Sequence, residues 1–114
     1  SDQFITPFYK SRAEQTVQWL RESLSGVSFR IHKPEGALFL WLWFEGMPIS
    51  SHVLYQRLKA RGVIVVPGHN FFVGIEEHWQ HKHECIRVSY AGDVAQVKRG
   101  VEIIAQEAHL AFTQ

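Results

Sequence analysis

The spacing of apolar residues divides the chain into helical and extended segments. Ala13, Val17, Leu20 and Leu24 recur at intervals of four, three and four with Arg, Glu and Gln between them, which predicts a helix from Pro7 to about Leu24. Thr6 before Pro7 suits an N-cap followed by a first helical proline, or else Pro7 sits at a bend. Ser25-Gly26 supplies the stop, because glycine accepts the left-handed conformation of a C-cap. Val27 to His32 alternates and is rich in β-branched and aromatic residues. After the turn-like Lys33-Pro34-Glu35-Gly36 comes the apolar run Ala37 to Phe44. With a period of two, Phe39, Trp41 and Trp43 share one face, and Leu38, Leu40, Leu42 and Phe44 share the other. Both faces are apolar, which predicts an interior strand covered on both sides.

Ser50 or Ser51 can cap a second helix whose stripe is Leu54, Tyr55 and Leu58, with Lys59 and Arg61 at the negative end of its dipole and Gly62 beyond. Val63 to Val66 reads as a short strand stopped by Pro67-Gly68. His69 to Glu84 has no clean period and is long for a connection, and long loops often carry binding residues. Cys85 to Tyr90 alternates, with Ile86, Val88 and Tyr90 on one face and Cys85, Arg87 and Ser89 on the other. Asp93 caps a last helix, with Gln96 three residues on and a stripe of Val97, Val101, Ile104 and Ala108. The order α-β-β-α-β-β-α predicts an α/β chain of the α+β two-layer sandwich type, a small sheet of about four strands covered by helices, forming a single domain over 1–114.

Charge narrows the partners. Twelve Lys plus Arg against 11 Asp plus Glu give a net +1, and the two signs are interspersed, so neither nucleic acid nor an anionic membrane is an expected partner. At 46% hydrophobic residues the chain is too apolar for disorder and can hold one modest core. The run Ala37–Phe44 is far short of the roughly 20 residues that cross a bilayer. The single cysteine, Cys85, cannot form an internal disulfide, which makes the cytoplasm the default location. The absence of an initiator Met, and the polar scrap that opens the chain, suggest a piece of a longer protein.

Phosphate-loop, nucleophile-elbow and zinc-protease patterns are absent. His78, His81 and His83 cluster ahead of Cys85. They are either metal ligands on an extended segment or polar loop residues beside Trp79 and Lys82, and their spacing matches no familiar ligand set. Arg87 stands on an otherwise apolar strand and must pair or reach solvent. It is either an exposed residue salt-bridged to a carboxylate such as Glu84 or Asp93, or a bidentate clamp on a carboxylate ligand. Lys33-Pro34-Glu35-Gly36 and Pro67-Gly68-His69-Asn70-Phe71 are either plain turns or the rim of a site where glycine lets backbone approach a ligand.

Three motifs in order carry a resemblance: Lys33-Pro34-Glu35-Gly36-Ala37-Leu38-Phe39-Leu40-Trp41; Arg61-Gly62-Val63 leading through Val66 to Pro67-Gly68-His69-Asn70-Phe71-Phe72; and Ile86-Arg87-Val88-Ser89-Tyr90. Together they resemble the C-terminal small domain of the fold-type I pyridoxal-phosphate-dependent aminotransferases, across nearly the whole chain. The resemblance implies a parent enzyme, a homodimer, that transfers an amino group between valine- or alanine-type amino acids and 2-keto acids such as pyruvate. It further implies that Arg87 holds the substrate carboxylate, that Gly36 lies where substrate sits over the cofactor, and that Pro67, Gly68 and Asn70 lie near the site mouth. The lysine that binds pyridoxal phosphate, with the other cofactor-holding residues, would belong to a large domain upstream. By that reading the 114 residues alone hold no cofactor and do not turn over.

Two other readings compete. A stand-alone α/β module that binds a small metabolite needs no more than this sheet and these helices. An RNA-binding sheet displaying Phe39, Trp41 and Trp43 is disfavoured by the missing basic patch and by the element order.

Overall fold

A computed structural model describes residues 7–34, 36–68 and 80–113. The elements are α1 (Pro7–Ser23), β1 (Phe29–His32), β2 (Phe39–Phe44), α2 (Ser51–Ala60), β3 (Val66–Pro67), a 3-10 turn (Gln80–Glu84), β4 (Cys85–Ser89) and α3 (Val94–Phe112). The strands form one antiparallel sheet in the order β1-β2-β4-β3. Three helices and one four-stranded sheet make the predicted mixed α/β sandwich.

Alternation along the strands builds the core. Leu40, Leu42 and Phe44 of β2 and Ile86 and Val88 of β4 are buried together with Leu20 and Leu24 from α1, Leu54 and Leu58 from α2, and Val101, Ile104 and Ala108 from α3. Phe44 meets Phe112 edge to face, with ring centroids 6.4 Å apart. Burying an aliphatic side chain of this size contributes about 1.5 to 3 kcal/mol, so the rows on β2 and β4 fix which face of the sheet turns inward. Both caps form: the Ser50 side chain accepts the Val53 N–H at 3.2 Å, and Asp93 accepts the N–H groups of Ala95 and Gln96 at 3.0 and 3.1 Å.

Three expectations are corrected in detail. β2 is interior, but its two faces differ: Leu40, Leu42 and Phe44 are fully buried, whereas Phe39, Trp41 and Trp43 are half-buried, because the helical core packs on only one face. The edge strand is Val66–Pro67 and not Val63–Val66. Proline lacks an N–H and is tolerated at a sheet edge, where the ladder asks for bonds on one side only. The buried stripe of α1 includes Arg12 and Thr16, and Val17 is only half-buried. Thr16 can be buried because its hydroxyl donates to the Arg12 carbonyl at 2.8 Å. The Arg12 guanidinium donates to the Gly92 carbonyl and lies over the Phe8 ring, 4.9 Å from its centroid. Within the stretch read as aperiodic loop, the described end is the 3-10 turn; Thr6, the candidate cap of α1, lies outside the described residues.

The α3 cap gives a direct test. Asp93→Ala should destabilise the fold by about 1 kcal/mol in urea unfolding, with Asp93→Asn close to the parent, since either side-chain oxygen can accept the two N–H groups. Equal losses for Ala and Asn would contradict the capping role.

Candidate functional site

Arg87 sits at the middle of β4, with Trp41 of β2 and Val66 of β3 as its register partners. Side chains opposite one another share a face, so Arg87 projects from the open side of the sheet, away from the helices. It does not stand straight over Trp41. Its guanidinium carbon lies over the Phe39 ring, 4.6 Å from the centroid. Phe39 is the register partner of Ser89, two positions along β4, so the arginine leans toward the end where β2 begins.

That end also carries Gly36. The Ala37 N–H donates to the Pro34 carbonyl at 3.3 Å and closes a tight turn in which Gly36 has φ +79°, a conformation that suits glycine. Tyr90 pins the turn to β4: its hydroxyl donates to the Ala37 carbonyl at 2.6 Å and its N–H donates to the Leu38 carbonyl at 3.1 Å. Burial pushes the Tyr90 hydroxyl above its ordinary pKa, so it stays a donor at neutral pH. Arg87 thus leans toward the end of the sheet at which the Gly36 turn enters β2.

Pro67 and Gly68 lie elsewhere. Pro67 pairs with Ile86 on the core side, and Gly68 is buried where an added Cβ would come within 3.1 Å of the Cys85 carbonyl and side chain. Both are on the Cys85 side of Arg87, opposite to the direction in which its side chain leans. Asn70, the third rim candidate, lies outside the described residues.

Two of the three clustered histidines, His81 and His83, lie within the described residues. His81 shares a short contact with Glu84, 3.0 Å from Nδ1 to Oε1, and its ring lies 4.7 Å from that of Trp43. His83 is exposed, Cys85 is buried, and His78 lies outside the described residues. Among the described residues no three His, Cys, Asp or Glu side chains are grouped to hold a metal ion. Burial raises the pKa of the Glu84 carboxyl, but the Trp43 indole N–H at 2.9 Å, His81, and the Gly46 N–H at 2.9 Å together outweigh it and hold the group below its ordinary value. Burial first, and the Glu84 charge second, push the Cys85 thiol up to about 12, which keeps it protonated and weakly nucleophilic at neutral pH. Glu84 and Asp93, the two carboxylates considered for Arg87, thus serve the Trp43–Gly46–His81 junction and the α3 cap.

Among the described residues, two clefts lie near this sheet. One, of about 500 Å³, lies between residues 61–65 and α3; the other, of about 450 Å³, lies between the start of α2 and the 3-10 turn. Neither is lined by Arg87, Gly36 or a lysine. A lysine amine is the group that joins an aldehyde cofactor covalently, and neither cleft has the donor set of a pyridoxal-phosphate site. The sequence did not single out Phe39 as a partner of Arg87, because the pairing of β2 with β4 joins residues 48 positions apart; the shared alternation of both strands was the available signal.

Comparison with known proteins follows this geometry. The profile described as Aminotransferase class I and II matches residues 2–104. Over 114 residues the chain is 47% identical to the valine–pyruvate aminotransferase of Escherichia coli (strain K12), covering 100% of this chain and 27% of that protein. It is 37% identical over 70 residues to aromatic-amino-acid aminotransferase 1 of Thermococcus litoralis, covering 60% of this chain and 16% of that protein. The crystal structure of valine–pyruvate aminotransferase from Salmonella typhimurium LT2 superposes with a TM-score of 0.87 at 49% identity, covering 97% of this chain and 29% of that one. The chain thus spans about a quarter of the length of the enzyme it matches from end to end. No helix among the described residues is long and apolar enough to cross a membrane.

Two measurements check the electrostatics. A carboxyl with a lowered folded pKa contributes its stability fully above the ordinary value, 4.5, and loses it as pH falls through the folded value. Glu84→Gln should therefore lower the urea midpoint at pH 7, and the gap from the parent should narrow toward pH 3; a constant gap would contradict the network. Iodoacetamide at pH 8 should leave Cys85 of the folded protein intact over a time in which the urea-unfolded chain is fully alkylated. Equal rates in the two states would contradict the raised pKa.

Proposed function

Because the chain belongs to the class I and II aminotransferase family, we propose that residues 1–114 are the C-terminal small domain of a pyridoxal-phosphate-dependent aminotransferase in which Arg87 anchors the substrate carboxylate. The substrates would be valine- or alanine-type amino acids and 2-keto acids such as pyruvate, in keeping with the E. coli and Salmonella relatives. The observation that carries the reading is the lean of Arg87 over Phe39 toward the Gly36 turn. It directs a positive charge to an open sheet end where the backbone, lacking a Cβ at Gly36, can approach a ligand closely.

The guanidinium fork can take both oxygens of a carboxylate in parallel, which fixes the orientation of the carbon bearing the amino group. Orientation of this kind converts binding into rate, since a reacting atom held in place spares the entropy of finding it. Pyridoxal phosphate, bound in the complete enzyme, supplies the conjugated ring that takes up electron density as the substrate α-carbon loses its proton. Arg87 lies on a sheet face and outside both clefts, so a second wall must complete the pocket, and the large domain of the same chain is the proposed wall. The same proposal places the enzyme in the cytoplasm as a homodimer, with the isolated 114 residues inactive and free of cofactor.

In the full-length enzyme Arg87→Lys should leave the cofactor absorbance and the unfolding midpoint in place. It should lower kcat/KM for valine with pyruvate by about 10- to 100-fold, the loss expected when a bidentate charge-assisted contact worth roughly 1.5 to 3 kcal/mol is reduced to a point charge. Unchanged steady-state constants would remove Arg87 from the anchor role.

A further inference from the structure

We infer that Phe39 is a positioning residue for Arg87: its ring sets the direction of the guanidinium and thereby the affinity for the substrate carboxylate. The inference rests on the reading of Arg87 as the carboxylate anchor.

A strand arginine has four rotatable side-chain bonds and, on an open face, many directions to point. Three features of the structure select one. The guanidinium carbon is 4.6 Å from the centroid of Phe39, inside the range in which a cation is attracted to a ring face. Trp41, the register partner of Arg87, meets Phe39 nearly edge-on, with centroids 6.4 Å apart and planes at 86°, which holds the Phe39 ring against rotation. Phe39 itself follows the Gly36 turn directly, and that turn is fastened to β4 through Tyr90. The ring is therefore fixed at the end of the sheet where the carboxylate is proposed to arrive.

Attraction to a ring needs no hydrogen-bond donor, so the contact orients the guanidinium without consuming the N–H groups that a carboxylate would take. An aliphatic side chain at position 39 could occupy the strand equally well and would lack the ring's negative face. The residue thus acts through Arg87 rather than on the substrate.

The test is a set of variants in the full-length, cofactor-loaded enzyme, read by calorimetric binding of 3-methylbutanoate, a carboxylate without an amino group, and by kcat/KM for valine. Phe39→Leu should weaken 3-methylbutanoate binding and lower kcat/KM by about 2- to 30-fold, the range spanned by exposed to desolvated cation–ring contacts. Phe39→Tyr, which keeps the ring, should restore both. In an Arg87→Gln background, Phe39→Leu should cost nothing further. Phe39→Met serves as the second aliphatic replacement if the Leu variant unfolds. A silent Phe39→Leu beside an impaired Arg87→Lys would overturn the role of Phe39 while leaving the anchor intact. A silent Arg87→Lys would instead overturn the anchor, and this inference with it. Equal losses from Phe39→Leu in the two Arg87 backgrounds, or failure of Tyr to restore binding, would show that Phe39 is merely structural.

Discussion

Strand β2 must satisfy two neighbours of different chemistry, because successive side chains of a strand point to opposite faces of the sheet. Its even-numbered residues, Leu40, Leu42 and Phe44, are fully buried under the helices, and that burial sets the register against β1 and β4. Once the register is set, the odd-numbered residues have no choice of side. Phe39, Trp41 and Trp43 come to the open face, and so does Arg87, opposite Trp41. A slip of one residue in β2 would turn Leu40 and Leu42 outward, and a slip of one residue in β4 would turn Ile86 and Val88 outward and bring Arg87 into the core, so the hydrophobic alternation of the two strands fixes both the fold and the position of the charge.

Polar contacts then secure the two ends of this arrangement. At the Gly36 end, Tyr90 joins the turn before β2 to the end of β4. At the other end, Glu84 receives Trp43, Gly46 and His81, tying the end of β2 to the turn that leads into β4. The strands bearing Phe39 and Arg87 are thus held at both ends by hydrogen bonds and along their length by packing. Buried Cys85 contributes volume rather than reactivity, which leaves Arg87 and the aromatic row to give the open face its chemistry.

Much of this was legible in the sequence. The helical stripes, the caps at Ser50 and Asp93 and the alternation of β2 and β4 are local patterns, and local patterns survive in one dimension. The shortfalls were tertiary. Arg12 and Thr16 are buried in α1 because partners from other turns and from Gly92 satisfy them, which periodicity cannot reveal. The short edge strand moved to Val66–Pro67 because its pairing with β4, not its β-branched run, decides where the ladder forms. Arg87 and Phe39 were each read on the correct alternating face, but 48 residues separate them, and only the antiparallel pairing of β2 with β4 brings them into contact. For the same reason Glu84 was considered as a partner for Arg87, whereas its oxygens receive Trp43, Gly46 and His81.

The chain belongs to the aminotransferase family, and the role proposed for its open face is that the Arg87 guanidinium, resting on the Phe39 ring, meets a carboxylate against a second wall. The most direct test is a crystal structure of the full-length, cofactor-loaded enzyme with 3-methylbutanoate bound. The account predicts two near-parallel N–H···O contacts of about 2.8 Å from Arg87 to the carboxylate, with the guanidinium still resting on Phe39. A carboxylate held by other residues, with Arg87 turned away from it, would contradict the account.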